Sequence, residues 1–581
     1  MNLIPASFDP ATTATGPLGQ RAHPASIDHS QRLEEKLYKL GDKAWSMVGN
    51  GLSNQSFVLG PEGLIVIDTG ECIEEMNAAL LAIRQETSAP IVACIYTHFH
   101  YVGGTQALLD ESGNPALPIY GHSGIAANLT RFGGEVGPRG ARGLVHQFAV
   151  SLPTEGEDGL VNVGLGRFFR NPEHAPFTKG YIPAQHTFSE VTTLTIAGLD
   201  VEIYPAPSDA SDSITIWFPA LGVAINNLLW PALFNVFAIR GEEYRDPRVL
   251  LTGLDQLANL KADYLLGAHG PPLQGSQLID DSIIDARDAI QYLWDQTVRG
   301  ANLGLTLDEL TSFVQLPEHF QQRYQTQQFY GVAEHHVRQI YTGLFGWFDE
   351  DEAKLFPTPA PFRSRKLIDG FGGIDKVRGI IDQALADADY RWAIELSSWL
   401  VRASLNDRGR ADAGETQDRH RLAAGLRGVA QGTTAANIRN WSLTRARELE
   451  GHIDIERLRG HRFRAADLLS SAPTQSVPVL KVLLVPERAQ GLDESLCIAF
   501  DNGSQAGLRL RHQVAIPTQG QNADMTLTIS HQHWAQMLGG KISLAQLLAD
   551  GSVDTAGMDD QVKRFLSCFD LPSLQSEGQQ T

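Results

Sequence analysis

At 581 residues the chain exceeds one core at roughly 100–200 residues per domain, so two to four domains are expected. Its 47 basic against 67 acidic residues leave a net charge of −20, which excludes nucleic acid and anionic membrane as main partners, since both need a basic surface. Four scattered cysteines (Cys72, Cys94, Cys497, Cys568) exclude a disulfide framework, and no window nears the 18 uninterrupted apolar residues of a membrane span.

Residues 1–34, opening "MNLIPASFDPATTATGPLGQRAHPAS", lack a basic start followed by an apolar stretch. They read as a disordered or loosely packed arm rather than a signal peptide, and the expected location is the cytoplasm. From 35 to 304 strand-like and helix-like stretches alternate. "SNQSFVLG" and "GLIVIDTG" form a strand pair, and "CIEEMNAALLAIRQETS" has helical spacing with Met76, Leu80, Leu81 and Ile83 on one face. "IVACIYT" is a buried strand running into two histidines. "TTLTIAGLDVEIYPAPS", "SITIWFPALGVAINN" and "ADYLLGAH" are further strand regions, each ending in polar residues. Layered α/β folds build their sites at strand ends in this way.

Residues 305–455 turn helical: Val377, Ile380, Ile381, Ala384 and Leu385 share a stripe, continued by Trp392, Leu396, Trp399 and Leu400 after a break near Asp387–Asp389. "LFPTPAPFRS" reads as a Pro-rich connector. From 456 to 572 strands return ("VLKVLLVP", "SLCIAF", "LRLRHQVAI", "DMTLTIS"), followed by a helical "HWAQMLGGKISLAQLLADG". In "LRLRHQVAI", Leu508, Leu510 and Val514 alternate with polar residues as in a half-exposed sheet. This is a small α+β domain with a disordered "SEGQQT" tail.

No G-x-S-x-G elbow, phosphate loop or H-E-x-x-H helix is present. What remains is "IYTHFHYVGG", residues 95–104, where His98 and His100 project to one side of a strand-to-loop turn by period-two alternation. Two imidazoles on a rigid strand end are a start for a zinc site, which needs three protein ligands and an open position. An isolated H-x-H among 18 histidines is otherwise coincidence.

Context decides between these. "VGNGLSNQSFVLGPEGLIVIDTG", "IYTHFHYVGGTQALL", "YPAPSDASDSITIWFP" and "LLGAHGPP", in that order, resemble the metallo-β-lactamase superfamily, and within it the alkyl sulfatases. "YGVAEHHVRQIYTGLFGWFD" and "GGIDKVRGIIDQALADADYRWAIELSSWLV" are similar to that family's helical dimerisation domain, and residues from about 456 to its sterol-carrier-like C-terminal domain. The resemblance implies an αββα sandwich, a helical dimerisation domain and a small α+β domain, assembled as a homodimer.

In this family two zinc ions share a site on T-H-x-H-x-D-H-x-G-G, two later acids and a last histidine. His98 and His100 match the first two ligands; the Asp-His step is missing. The later acids fall on Asp209 and on Asn227, an amide, and the last histidine on His269. All matches to the first metal (His98, His100, Asp209) are kept, while of the second only His269 survives, which implies one zinc per chain. His269 either completes the sphere or takes a proton. Asp212 accepts a hydrogen bond from a ligand histidine or acts as base, or is a turn residue at a strand entry. Asn235 and Arg240 match family positions that contact sulfate; the plainer alternative for Arg240 is a surface salt bridge with Glu242 or Asp246. Tyr330 matches a family tyrosine near the site or is a packed core residue. Asp68 supports the metal-binding turn. Tyr101 fills the volume of the lost metal or is a core aromatic.

The expected function is hydrolysis of sulfate esters of apolar alcohols by a metal-activated water, with Arg240 and Asn235 on the anionic head and the C-terminal domain offering apolar surface. The rivals are a hydrolase of another ester or a lactone, a binding protein without catalysis, and a lipid-binding scaffold.

Overall fold

The computed structural model describes residues 7–406 and 409–575. The tail 576–581, expected to be disordered, lies outside them. Two compact units are formed, Met1–Leu129 with Gly143–Asp454, and Thr130–Arg142 with Ile455–Thr581.

Two sheets build the first unit. One has seven strands in the order Lys36–Leu40, Ala44–Val48, Gln55–Gly60, Gly63–Ile67, Ile91–Ile95, Ile119–His122 and His186–Phe188. The first four pair antiparallel and the later ones parallel. The other has six, Thr192–Ile196, Leu199–Pro205, Ile214–Phe218, Val223–Asn226, Tyr264–Gly267 and Leu273–Gln274, antiparallel except where Val223–Asn226 meets Tyr264–Gly267. Val58, Ile65, Ile67 and Ile95 of one sheet meet Val201, Ile203, Ile216 and Leu266 of the other in a single apolar core. Each such side chain contributes about 1.5–3 kcal/mol on burial, so β-branched alternation drives the two sheets face to face. Helix Ile73–Ile83 packs on the first sheet and Ser276–Asn302 against the second, giving the expected αββα layering.

The helical stretch holds the pair Ile374–Ala386 and Tyr390–Arg402, broken at Asp387–Asp389. Val377, Ile381, Ala384, Leu396 and Leu400 are buried between them, with Ile380, Leu385, Trp392 and Trp399 at the margin. The C-terminal unit carries a four-stranded sheet, Val514–Thr518, Gln505–Arg511, Asp493–Phe500 and Met525–Ile529 in spatial order, covered by helices around the buried Trp534.

Several local expectations are corrected. Within residues 7–34 of the expected loose arm, Pro24–Arg32 is a helix whose His29 stacks on Phe329 at 4.2 Å, with its Nε2 2.7 Å from the Gly164 carbonyl. It packs through an imidazole rather than an aliphatic stripe, so hydrophobic periodicity does not register it. Leu81 is 71% exposed, off the face shared by Met76, Leu80 and Ile83. The second half of the Pro-rich connector starts the helix Ala360–Gly370 with Pro at its first turn. "VLKVLLVP" is largely the 3-10 turn Pro478–Leu483 rather than a strand. "LRLRHQVAI" is a hairpin, reversing at His512 and Gln513 (φ 52° and 61°), which leaves Val514 53% exposed.

Candidate metal and anion site

The strand Ile91–Ile95 delivers the histidines, but not by simple alternation. After the strand the chain stays extended to His98 (φ −171°), then tightens into the 3-10 turn Phe99–Tyr101, which swings His100 back toward His98. Their ring centroids are 5.1 Å apart, edge to face. Asp68, at φ 57°, pins this turn by accepting from the Thr97 amide at 2.8 Å and the Thr97 hydroxyl at 2.5 Å. The Thr97 carbonyl in turn accepts from the Ile214 amide, tying the turn to the second sheet.

Asp209 enters from the loop after Leu199–Pro205. Its Oδ2 lies 3.2 Å from His100 Nδ1 and its Oδ1 3.8 Å from His98 Nε2. One ligand atom from each of His98, His100 and Asp209 falls within 4.8 Å of the others, and among the described residues no other group of three converges this way. Burial pushes the His98 pKa down to about 3, keeping the imidazole neutral with a lone pair to give. Burial would raise Asp209, yet the facing His98 and His100 hold it well below the usual carboxylate range. His100 Nδ1 is buried without a well-aligned hydrogen bond despite the nearby carboxylate. A neutral imidazole, an ionised carboxylate and an orphaned ring nitrogen fit a cation taking an N₂O set with an open position.

The positions of a second metal are differently used. Asn227 donates to Asp209 Oδ1 at 2.6 Å and to the Ser208 hydroxyl at 3.1 Å, while its own oxygen accepts from the Trp230 indole at 3.1 Å. It therefore buttresses Asp209 and has no oxygen turned to a cation. His269 stays outside the converging trio, its ring nitrogens turned to other partners. Its Nδ1 faces the Leu52 carbonyl at 3.0 Å and its Nε2 the Tyr101 hydroxyl at 3.3 Å. The Tyr101 ring stands edge-on to both His98 and His269, at 5.0 and 5.5 Å, separating them. Asp212 is buried, its carboxylate without a well-aligned hydrogen bond although the Asn128 side chain lies close, and burial pushes its pKa up to about 6.

Beside the trio lies a cationic cluster. Arg240 donates through Nε to Glu242 at 2.7 Å and through Nη1 to the Tyr330 hydroxyl at 3.2 Å, and Gln147 donates to the same hydroxyl at 2.7 Å. With two donors on its oxygen, Tyr330 keeps its own proton for a further acceptor. Glu242 thus does pair with Arg240, but inside the protein rather than at its surface; Asp246 instead caps the helix Pro247–Asn259 and pairs with Arg248. Asn235 is fully buried, its Oδ1 3.3 Å from His336 Nε2 and its amide nitrogen without a partner. Its backbone carbonyl accepts from Arg245 at 2.6 Å.

Sequence reasoning missed Glu242 as a buried bridge, and Arg245 and Gln147 altogether. Glu242 joins Arg240 to Arg245, and its Oε1 lies 3.9 Å from His100 Nε2, so it links the cationic cluster to the histidines. The signal was present in "IRGEEYRD", where two adjacent acids each sit within three residues of an arginine on either side.

Three family models match the chain in order. They are the metallo-β-lactamase superfamily over residues 48–225, alkyl sulfatase dimerisation over 306–452 and the alkyl sulfatase C-terminal region over 464–575. A linear primary-alkylsulfatase of a Pseudomonas species is 34% identical over 530 residues, covering 88% of this chain and 97% of its own length. An alkyl/aryl-sulfatase of Saccharomyces cerevisiae is 26% identical, covering 92% and 82%. The solved structure of the stereoselective inverting sec-alkylsulfatase Pisa1 from Pseudomonas sp. superposes with a TM-score of 0.81 at 24% identity, over 95% of this chain and 88% of that one.

Proposed function

Because the chain belongs to the alkyl sulfatase family of the metallo-β-lactamase superfamily, we propose that it is a sulfuric ester hydrolase acting on sulfate esters of apolar alcohols with one zinc ion per chain. The observation that carries this reading is the adjacency of the His98, His100 and Asp209 group to a buried arginine–tyrosine cluster, joined through Glu242. A cation there would supply Lewis-acid polarisation and lower the pKa of a water to near neutrality. His98, His100 and Asp209 would hold it, with Asn227 and the Thr97 hydroxyl (2.9 Å from His98 Nδ1) fixing the orientation of Asp209 and His98.

The anionic head of the ester is assigned to Arg240, Tyr330 and Asn235. Arg240 brings charge and a planar fork, Tyr330 a hydroxyl proton and Asn235 an unpartnered amide. Asp212, held toward neutrality by burial, is assigned proton transfer at the reacting centre. His269, committed to Leu52 and Tyr101, is assigned a supporting role in the same wall. The C-terminal unit is taken by itself. It holds a cleft of about 990 Å³ lined by Leu458, Phe463, Leu538 and Ile542 beside Arg462 and Lys541, a composition suited to an amphiphile.

The homodimer is supported by the dimerisation match, within which Phe345, Trp347, Leu355 and Phe356 are 54–98% exposed. A cytoplasmic location is supported by four buried cysteines without a bridge. No described helix is long and apolar enough to cross a membrane.

The test is release of inorganic sulfate from dodecyl sulfate beside metal analysis. Activity lost on chelation and restored by zinc is expected, with a stoichiometry near one that Asp209→Asn and His100→Ala both abolish. Dodecyl sulfate left intact by the zinc-loaded protein refutes the reading.

A further inference from the structure

The carboxylate at the centre of the cationic cluster is not needed to bind an anion; it stands where an anion belongs. Glu242 has a side chain only 5% exposed, between guanidinium groups that are themselves 10% (Arg240) and 3% (Arg245) exposed. One of its oxygens faces Arg240 and the other Arg245, the division that two oxygens of a tetrahedral oxyanion would adopt between two planar forks. Each arginine has a further neighbour with a donor: Arg240 the Tyr330 hydroxyl, and Arg245 the backbone carbonyl of Asn235, whose amide nitrogen is buried and unpartnered. Within the cluster two buried cations are matched by one buried anion, and the Asp209 carboxylate acts on both Arg240 and Glu242 from beyond it. A site of this build is not empty: Glu242 already faces both arginines, while Asn235 Nδ2 and Arg245 Nε stay without a partner.

We infer that Glu242 is a specificity-determining residue, an internal occupant of the anion site that competes with a sulfate group for Arg240 and Arg245. The inference rests on reading the cluster as the seat of the sulfate head. Its consequence is a ceiling on how tightly any sulfate is held. An incoming ester and departing inorganic sulfate both have to share or take over the arginine contacts of Glu242, which weakens binding of both and favours release of the product. Specificity of this kind works through a repulsive element set opposite the attractive ones. The like charge of Glu242 penalises anions that offer only charge, and esters with binding energy elsewhere, in an apolar chain, tolerate it better.

The experiment compares wild type, Glu242→Gln and Glu242→Asp, each checked for a cooperative thermal transition. Chelated, metal-free protein is titrated calorimetrically with inorganic sulfate alone. Glu242→Gln removes the competing charge and keeps the shape, and is expected to bind sulfate about tenfold tighter or more. Glu242→Asp draws the carboxylate back by one methylene and is expected to fall between it and wild type; should the amide variant not fold, it carries the test alone. In the zinc-loaded protein, Glu242→Gln is expected to lower KM for dodecyl sulfate and strengthen inhibition by added sulfate. A folded variant that binds sulfate no tighter than wild type overturns the inference, whatever its activity. Wild type that never releases sulfate from dodecyl sulfate would instead overturn the enzymatic reading and leave the binding comparison standing.

Discussion

Replacing Gly331 by alanine inserts one methyl group between two buried polar side chains. A Cβ built there would lie 2.4 Å from Asn235 Oδ1 and 2.7 Å from His336 Nε2, roughly 1 Å inside ordinary contact. The backbone of Gly331 is not in the left-handed region, so alanine is conformationally acceptable and only the space opposes it. Neither neighbour can retreat cheaply: both are fully buried, they face each other at 3.3 Å, and the Asn235 carbonyl is held by Arg245 at 2.6 Å. Overpacking of this kind costs about 1–3 kcal/mol, and moving a positioned donor by ~1 Å costs about 100-fold in rate. The expected result for Gly331→Ala is therefore a Tm lower by a few degrees. Its kcat/KM for dodecyl sulfate should fall by roughly two orders of magnitude, with metal content unchanged because the trio lies elsewhere. Calorimetry, sulfate release and metal analysis read the three quantities. Wild-type kcat/KM at an unchanged Tm would refute the placement of Asn235 on the substrate.

Tyr101→Phe removes the hydroxyl facing His269 and leaves the ring; metal content should stay near one per chain with about 1 kcal/mol of stability lost, whereas a second bound ion would refute the account of Tyr101 as a divider. Glu75 accepts from Gln55 and from the Glu71 amide, and burial pushes its pKa up to about 8 from 4.5. Between these values the unfolded chain loses the proton first, so stability falls as pH rises through this window, by at most ~1.4 kcal/mol per unit. Glu75→Gln should flatten that slope in denaturation at pH 5 and 8, and an undiminished slope counts against it. Trp347→Glu combined with Phe356→Glu should shift the mass seen by light scattering from dimer to monomer, and an unchanged dimer would place the interface elsewhere.

The sandwich was legible because its strands carry dense β-branched runs, and the layered core of Val58, Ile65, Val201 and Ile216 follows from them. His98, His100 and Asp209 were legible through motif resemblance, and the fold does bring them together. The means differ, since a 3-10 turn does what strand alternation was expected to do. Less legible was everything set by long-range packing. Arg240 was read as an anion ligand or a surface pair, and only the fold reveals that its partner Glu242 is buried with it. His269 matches a ligand position in sequence, and only the fold shows its Nε2 facing the Tyr101 hydroxyl. "VLKVLLVP" carries a strand-like composition, yet Pro478 opens a 3-10 turn there.

The amide at Asn227 sides with the proposed one-ion reading. An aspartate in its place would keep one oxygen under the Trp230 indole and press the other against Asp209 Oδ1, across a gap now bridged at 2.6 Å by an N–H. Two carboxylates that close must trap a proton or part, and either outcome spoils the first set of ligands before a second has formed. With Tyr101 set against His269 as well, a second cation would meet an N–H and a phenol where it needs open ligand atoms.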